Sequence, residues 1–146
     1  DPEPSENIAR YKRLNFIARW FGFRPIAKQV MIIMFGQKFL NDAKKVQVKE
    51  KWQEVLIKNK RIGISRAVTG VINRQGIFEQ LGKIVSPTVI MVGDQDVATI
   101  PQKSERIKAS IKDSKLIIIQ GAGHTASVEE PQAVNAALQN FYNELS

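Results

Sequence analysis

The chain contains no cysteine, a single histidine and no apolar run longer than six residues. Without cysteine it can form neither disulfides nor thiolate metal sites, and one histidine leaves only carboxylates as metal ligands, so we predict no metal site. The longest apolar run, Val30–Phe35, is far too short to cross a bilayer, which requires about 20 residues. No signal-peptide pattern is present either. These absences favour a cytoplasmic protein that does not bind membranes.

The remaining composition is that of a globular protein with an uneven charge. The chain has 146 residues, 43% hydrophobic and 25% charged, with a net charge of +8, enough for one compact core or a smaller core with an appendage. Residues 1–84 carry 17 Lys and Arg against 7 Asp and Glu, whereas residues 85–146 carry 5 against 7. Because the lysines are scattered at helical spacing, we predict a solvated surface and no nucleic-acid binding. Because the charge balance changes between these two stretches, we divide the chain into domains 1–84 and 85–146.

The first of these domains has the apolar spacing of helices and no strand-like alternation. Ser5 is placed to cap a first helix and Gly22 to end it; Pro25 suits the first turn of a second helix, which Gly36 ends. Three further short helical segments follow. Five short helices without a sheet make a poor independent domain. We therefore predict that residues 1–84 form a helical lid that packs on something else.

The second domain alternates between apolar strands and amphipathic helices. Two continuous apolar runs, Thr88–Val92 and Leu116–Ile119, are bounded by proline or glycine, which is typical of strands buried in a parallel sheet. A helical pattern follows each run, over Lys103–Ile111 and from Pro131 onward. This order requires a right-handed parallel crossover. The predicted fold class is α/β, a mostly helical first half followed by a strand-helix-strand-helix unit with two parallel strands.

Polar loops follow both predicted strands, at Gly93–Pro101 and Gly121–Thr125. The carboxyl ends of parallel strands meet at one edge of the sheet, where catalytic groups collect, and neighbouring strands lie about 5 Å apart. We therefore predict that Asp96 and His124 lie within hydrogen-bond reach. Such a carboxylate holds an imidazole in one tautomer and stabilises its charged form. Asp94 is the alternative acid, although its position better suits a cap or a solvent-facing side chain.

These loops and their strands resemble the C-terminal signature of the α/β-hydrolase family. The matching stretches are Pro-Thr-Val-Ile-Met-Val-Gly-Asp-Gln-Asp at 87–96, Thr-Ile-Pro at 99–101 and Gly-Ala-Gly-His at 121–124. The resemblance implies that Asp96, the last residue of a Gly-x-x-Asp turn, and His124 are the acid and the histidine of a catalytic triad. More weakly, the helical half resembles the lids of enol-lactonases and related esterases. The implied fold is a partial α/β-hydrolase.

The resemblance also implies what the chain would need in order to act. The family's nucleophile precedes its acid and histidine, so the nucleophile and the oxyanion hole would lie upstream of this chain. We expect a C-terminal fragment that is inactive alone. Its parent would hydrolyse an ester, a lactone or a related small carbonyl substrate without a cofactor. The nucleophile's identity, on which the reaction subtype depends, is left open.

Several nearby features are interpreted as structural. Gly63-Ile64-Ser65-Arg66-Ala67 matches a relaxed Gly-x-Ser-x-small elbow, but its surroundings are polar and helical, so Ser65 is read as an ordinary helix serine. Thr99 and Pro101 help to start the next helix. Glu129 and Glu130 suit the dipole at the start of the last helix and are assigned no function.

Two further expectations concern partners. The strand at residues 88–92 would have an unpaired edge in a fragment, so we expect a homodimer or a strand-exchanged assembly. The alternative function is a non-enzymatic interaction module, in which the basic lid binds an anionic partner and Asp96 and His124 are relics. Five aromatic residues of the first half could line a substrate pocket, although packing explains them equally well: Trp20, Phe21, Phe23, Phe35 and Trp52.

Overall fold

The computed structural model describes residues 4–145, which divide into two compact units. The first unit comprises the stretch ending at Met31 together with Val46–Ile77, and the second comprises Ile32–Lys45 together with the stretch that begins at Phe78. The backbone therefore does not divide at residue 84, because residues 32–45 and 78–84 belong to the second unit. The assignment of residues 1–84 as a lid concerns a larger protein and stays a prediction.

The elements before residue 84 are helical, as expected. They are α1 (Ser5–Phe21), α2 (Ala27–Met34), α3 (Gln37–Asn41), α4 (Val46–Lys58) and α5 (Arg61–Ile72), with 3₁₀ turns at Arg24–Ile26, Ala43–Lys45 and Phe78–Lys83. Gly22 ends α1 with a φ of 83°, a value that glycine adopts without strain. Ser5 was predicted as a cap but lies inside α1, after an N-cap at Pro4 that has no side-chain hydrogen bond. None of the described helices is both long and apolar enough to cross a membrane.

The core of the first unit is formed by Ala18, Phe23 and Ile26. These buried side chains pack against partly buried ones, which are Leu14, Ile17, Val30, Leu56, Ile57 and Ile64. Trp20 of α1 does not join this core, because it is 64% exposed.

The second unit contains the predicted strand-helix-strand-helix order. Its elements are β1 (Thr88–Gly93), α6 (Pro101–Ser110), β2 (Ser114–Ile119), a short α7 (Ala126–Glu129) and α8 (Pro131–Leu145). The two strands pair in parallel, in continuous register from Thr88 opposite Ser114 to Gly93 opposite Ile119. The predicted fold class is confirmed. The expected full burial was wrong for both strands. In β1 only Val92 and Gly93 are buried, and in β2 only Ile119 is.

The parallel register places the two polar loops side by side. Both strands end at the same pair, so the chain leaves the sheet at one level. Backbone hydrogen bonds then join the loops: the Asp94 N–H donates to the Ile119 carbonyl at 3.2 Å and the Gln95 N–H to the Ala122 carbonyl at 2.9 Å. Ile119 and Ala122 are also core residues, together with Val134 of α8. The loops are therefore anchored where the candidate site lies.

Candidate active site

Asp96 is buried and held by its own turn. It is 5% exposed. Its Oδ1 accepts the backbone N–H groups of Ala98 and Thr99, each at 2.8 Å. Its Oδ2 accepts the Thr99 hydroxyl at 2.7 Å. A carboxylate with this many donors on one side has a fixed orientation, and the free side of Oδ2 is turned to the neighbouring loop.

His124 occupies that neighbouring loop and meets the carboxylate. Its Nδ1 lies 3.0 Å from Asp96 Oδ2, and its side chain is 36% exposed whereas that of Asp96 is 4% exposed. The structure thus brings together the two residues that the sequence singled out. Because Nδ1 is engaged by the carboxylate, Nε2 is the nitrogen left for a reacting group.

The electrostatics favour a charged carboxylate beside a proton-accepting imidazole. Burial acts to raise the pKa of Asp96, but hydrogen bonds from His124 and Thr99 outweigh it, and the pKa is lowered. The hydrogen bond to Asp96 raises the pKa of His124 against the effect of burial, and the charges of Asp96 and Glu129 add to the rise. An ionised carboxylate can only accept hydrogen bonds, so Nδ1 carries the proton and Nε2 of the neutral ring is a base.

The alternative candidates occupy other places. Asp94 Oδ1 accepts the Gly121 N–H at 2.7 Å, so this carboxylate ties the two loops together as a cap. Ser65 lies inside α5, as predicted, and is 4% exposed. Its carbonyl accepts the Thr69 hydroxyl at 2.9 Å in the manner of a helix. A nucleophile elbow joins a strand to a helix, and Ser65 does not have that setting.

Thr99 and Glu129 contact the candidate site, although the sequence had suggested no role in the site for either residue. The Thr99 hydroxyl lies 3.1 Å from His124 Nδ1, so this residue contacts both members of the pair besides preceding α6. Glu129 is 1% exposed and is not a solvated carboxylate at a helix start. It accepts N–H groups from the loop that carries the histidine. The one available signal was its spacing of four from Thr125, which brings two side chains together within one helical turn.

Comparison with known proteins identifies the family. The model of a family of α/β-hydrolases described as TAP-like proteins matches residues 67–145, which include both members of the pair and more than half of the chain. The chain belongs to this α/β-hydrolase family. The implied C-terminal portion of an α/β-hydrolase is thereby confirmed.

Curated relatives of this α/β-hydrolase chain are longer than it is. It is 32% identical to a proline iminopeptidase from Saccharolobus solfataricus over 78 residues, which are 53% of this chain and 25% of that protein. It is 29% identical over 73 residues to monoacylglycerol lipase abhd6-A from Xenopus laevis, over 50% of this chain and 22% of that protein. The matched half of the chain thus covers about a quarter of the length of each of these relatives.

Solved α/β-hydrolase structures share the fold of nearly the whole chain. A thermophilic esterase from Thermogutta terrifontis superposes with a TM-score of 0.85 at 22% identity, covering 98% of this chain and 52% of that one. The enol-lactonase from Burkholderia xenovorans LB400 gives a TM-score of 0.81 at 16% identity, covering 91% and 50%. The α/β-hydrolase chain therefore corresponds to about half of each of these folds.

Proposed function

We propose that this chain is the acid-and-base half of a longer hydrolase that cleaves an ester, a lactone or a related small carbonyl compound. The observation that carries the proposal is the 3.0 Å contact between Asp96 Oδ2 and His124 Nδ1, with the imidazole partly exposed and the carboxylate buried. Similarity to an esterase and an enol-lactonase over almost the whole chain supports the substrate class. Membership of the α/β-hydrolase family supports the reaction type.

The geometry suits a two-step acyl transfer. The nucleophile's hydroxyl would lose its proton to His124 Nε2 while its oxygen bonds to the substrate carbonyl carbon. The imidazolium would then return that proton to the leaving alcohol as the carbon–oxygen bond breaks. Water would complete the cycle by the same proton route and release the acid. Asp96 would hold the Nδ1 proton in place and stabilise the imidazolium in both steps.

The nucleophile and the oxyanion hole belong, in this proposal, to sequence upstream of residue 1. The family order of nucleophile, acid and histidine supports that placement. Ser65, the one elbow-like match, lies within α5 and not at the end of a strand. We therefore propose that the 146-residue chain alone does not turn over substrate.

The test compares variants in the protein that includes the upstream sequence, with an aryl acetate as substrate. His124→Ala is expected to lower kcat at least about 10³-fold, because the general base and the general acid are lost together. Ser65→Ala is the matched control and is expected to leave turnover unchanged. Loss of turnover in Ser65→Ala, or full turnover in His124→Ala, would overturn the assignment. Steep salt-dependent retention on heparin without turnover would favour the interaction module instead.

We further propose that the chain alone self-associates through the outer edge of β1. The described sheet has two strands, so one edge of β1 faces away from β2. The Thr88 N–H donates towards β2, to the Asp113 carbonyl at 3.0 Å, and the next N–H, that of Val89, therefore points to the outer edge. Unpaired strand edges recruit other chains.

Light scattering over a dilution series tests this association. The wild-type chain is expected to show a dimer that dissociates on dilution. Val89→Pro removes an outward N–H and no bond to β2, and is expected to shift the equilibrium to monomer. A wild-type chain that is monomeric at every concentration would contradict the proposal.

A further inference from the structure

We propose that Glu129 is a positioning residue for His124, whose buried carboxylate fixes the backbone on both sides of the imidazole. The kinetic consequence rests on the proposed function, but the structural claim does not. The proposal concerns a residue that no triad assignment includes.

One carboxylate oxygen holds both neighbours of the histidine. Glu129 Oε1 accepts the Gly123 N–H at 3.0 Å and the Thr125 N–H at 3.2 Å. It also lies 3.0 Å from the Thr125 hydroxyl. Since these peptide groups flank His124, a single oxygen fixes the direction in which the histidine side chain leaves the backbone.

The other oxygen joins this loop to the turn between α2 and α3. Glu129 Oε2 accepts the Gly36 N–H at 2.7 Å. The same turn meets the loop a second time, because the Thr125 N–H donates to the Met34 carbonyl at 3.1 Å. Lys45 Nζ secures Glu129 itself by donating to its backbone carbonyl at 2.7 Å. The histidine loop is therefore clamped to residues 34–36, with the carboxylate in the middle.

Burial makes this arrangement costly to disturb. Glu129 is 1% exposed, and its side chain is among the largest fully buried ones described. A buried carboxylate requires donors to offset its lost hydration, and backbone N–H groups supply them here. A carboxylate that served only the helix dipole would remain in solvent. Its Oε1 instead binds the segment around His124, and its Oε2 binds the Gly36 N–H.

The charge of Glu129 provides a readout that packing alone does not move. Two carboxylates, Asp96 and Glu129, act on the imidazole, and both raise its pKa. The neighbouring Glu130 is paired with Lys38 Nζ at 2.8 Å. Neutralising Glu129 removes one of the two charges. It also loosens the loop, which weakens the hydrogen bond between His124 and Asp96. Both changes lower the pKa of His124.

The test is Glu129→Gln, with Glu130→Gln as the matched control. The glutamine keeps the size of the side chain, but an amide nitrogen replaces one carboxylate oxygen. Because that nitrogen is a donor, it cannot accept the backbone N–H that the oxygen accepted. In the protein that includes the upstream sequence, we expect kcat to fall about 10–100-fold with KM nearly unchanged. We also expect the acid limb of the kcat/KM profile to move to lower pH. The control is expected to match wild type in both respects.

A measurement on the 146-residue chain separates this inference from the hydrolase proposal. His124 is the chain's only histidine, so its imidazole NMR signals give one titration curve. Glu129→Gln is expected to lower that pKa and Glu130→Gln to leave it unchanged. If Glu129→Gln does not fold, Thr125→Val removes the hydroxyl that lies 3.0 Å from both Glu129 Oε1 and the Met34 carbonyl oxygen. This variant loosens the loop but keeps the charge of Glu129, so it is expected to shift the pKa in the same direction by a smaller amount.

The outcomes are distinguishable. A wild-type pKa in folded Glu129→Gln, with only a lower melting temperature, would reduce Glu129 to a packing residue and overturn the inference. His124-dependent turnover could persist alongside that result, and the hydrolase proposal would then stand. A lowered pKa without any turnover would sustain the positioning role and reject the hydrolase proposal.

Discussion

Replacing Asp96 with asparagine is expected to lower kcat about 10³–10⁴-fold in the protein that carries the nucleophile. The carboxylate accepts two backbone N–H groups on Oδ1, so the amide nitrogen of the new side chain cannot take that position without facing two donors. It must take the position of Oδ2, where it donates to His124 Nδ1. The ring proton then moves to Nε2, and the nitrogen that should accept the nucleophile's proton is occupied.

Two measurements check this result. Steady-state kinetics with an aryl ester give the loss of kcat, and ¹⁵N shifts of the imidazole in the 146-residue chain report which ring nitrogen carries the proton. Asp94→Asn is the matched control, because its remaining oxygen can still accept the Gly121 N–H that Asp94 accepts at 2.7 Å. A normal tautomer together with normal kcat in Asp96→Asn would show that the carboxylate does not orient the histidine.

Gly123→Ala is expected to destabilise the chain by about 3 kcal/mol or more, the upper end of overpacking costs. A Cβ at this position would lie 2.3 Å from Gly36 N and 2.7 Å from the Phe35 carbonyl carbon. Both atoms belong to the backbone, so the clash can be relieved only if the segment at residues 35–36 and the loop that carries residue 123 move apart. That movement would also break the N–H contact of residue 123 with Glu129, and we expect the His124–Asp96 distance to lengthen.

Urea unfolding followed by circular dichroism measures this cost. Gly70→Ala is the matched control, since a Cβ there meets no atom within 4 Å. Gly70 lies inside α5, where alanine is preferred to glycine by about 0.5–1 kcal/mol, so this variant is expected to be more stable than wild type. A Gly123→Ala chain as stable as wild type would mean that the two glycine segments do not approach as closely as described.

The residues of the candidate site could be predicted because they depend on local pattern. Apolar runs ending in Gly93 and Gly121 predicted strands, and parallel strands deliver their loops to one edge. Asp96 and His124 were therefore expected to lie near each other, and in the structure Asp96 Oδ2 is 3.0 Å from His124 Nδ1. Their catalytic role rests on the family resemblance and stays a prediction.

The supporting contacts could not be predicted in the same way. Glu129 and Gly36 are 93 residues apart, and nothing in either neighbourhood indicates the other. The difference in charge between residues 1–84 and 85–146 likewise did not reveal that residues 32–45 belong to the second unit. Tertiary packing determines which distant segments come into contact, whereas hydrophobic periodicity predicts only the secondary structure of the segment in which it occurs.

The continuous register of β1 and β2 has a consequence for how such a protein can change. Asp96 and His124 are 28 residues apart, and a single crossover joins the strands that carry them. Under the proposed function, the residue that transfers the proton and the residue that orients it therefore lie in one short contiguous segment. In that case the helices around this segment could change, and with them the substrate specificity, while the segment itself stayed the same. Under the same proposal, a separate polypeptide that placed its nucleophile at this edge of the sheet would complete the site.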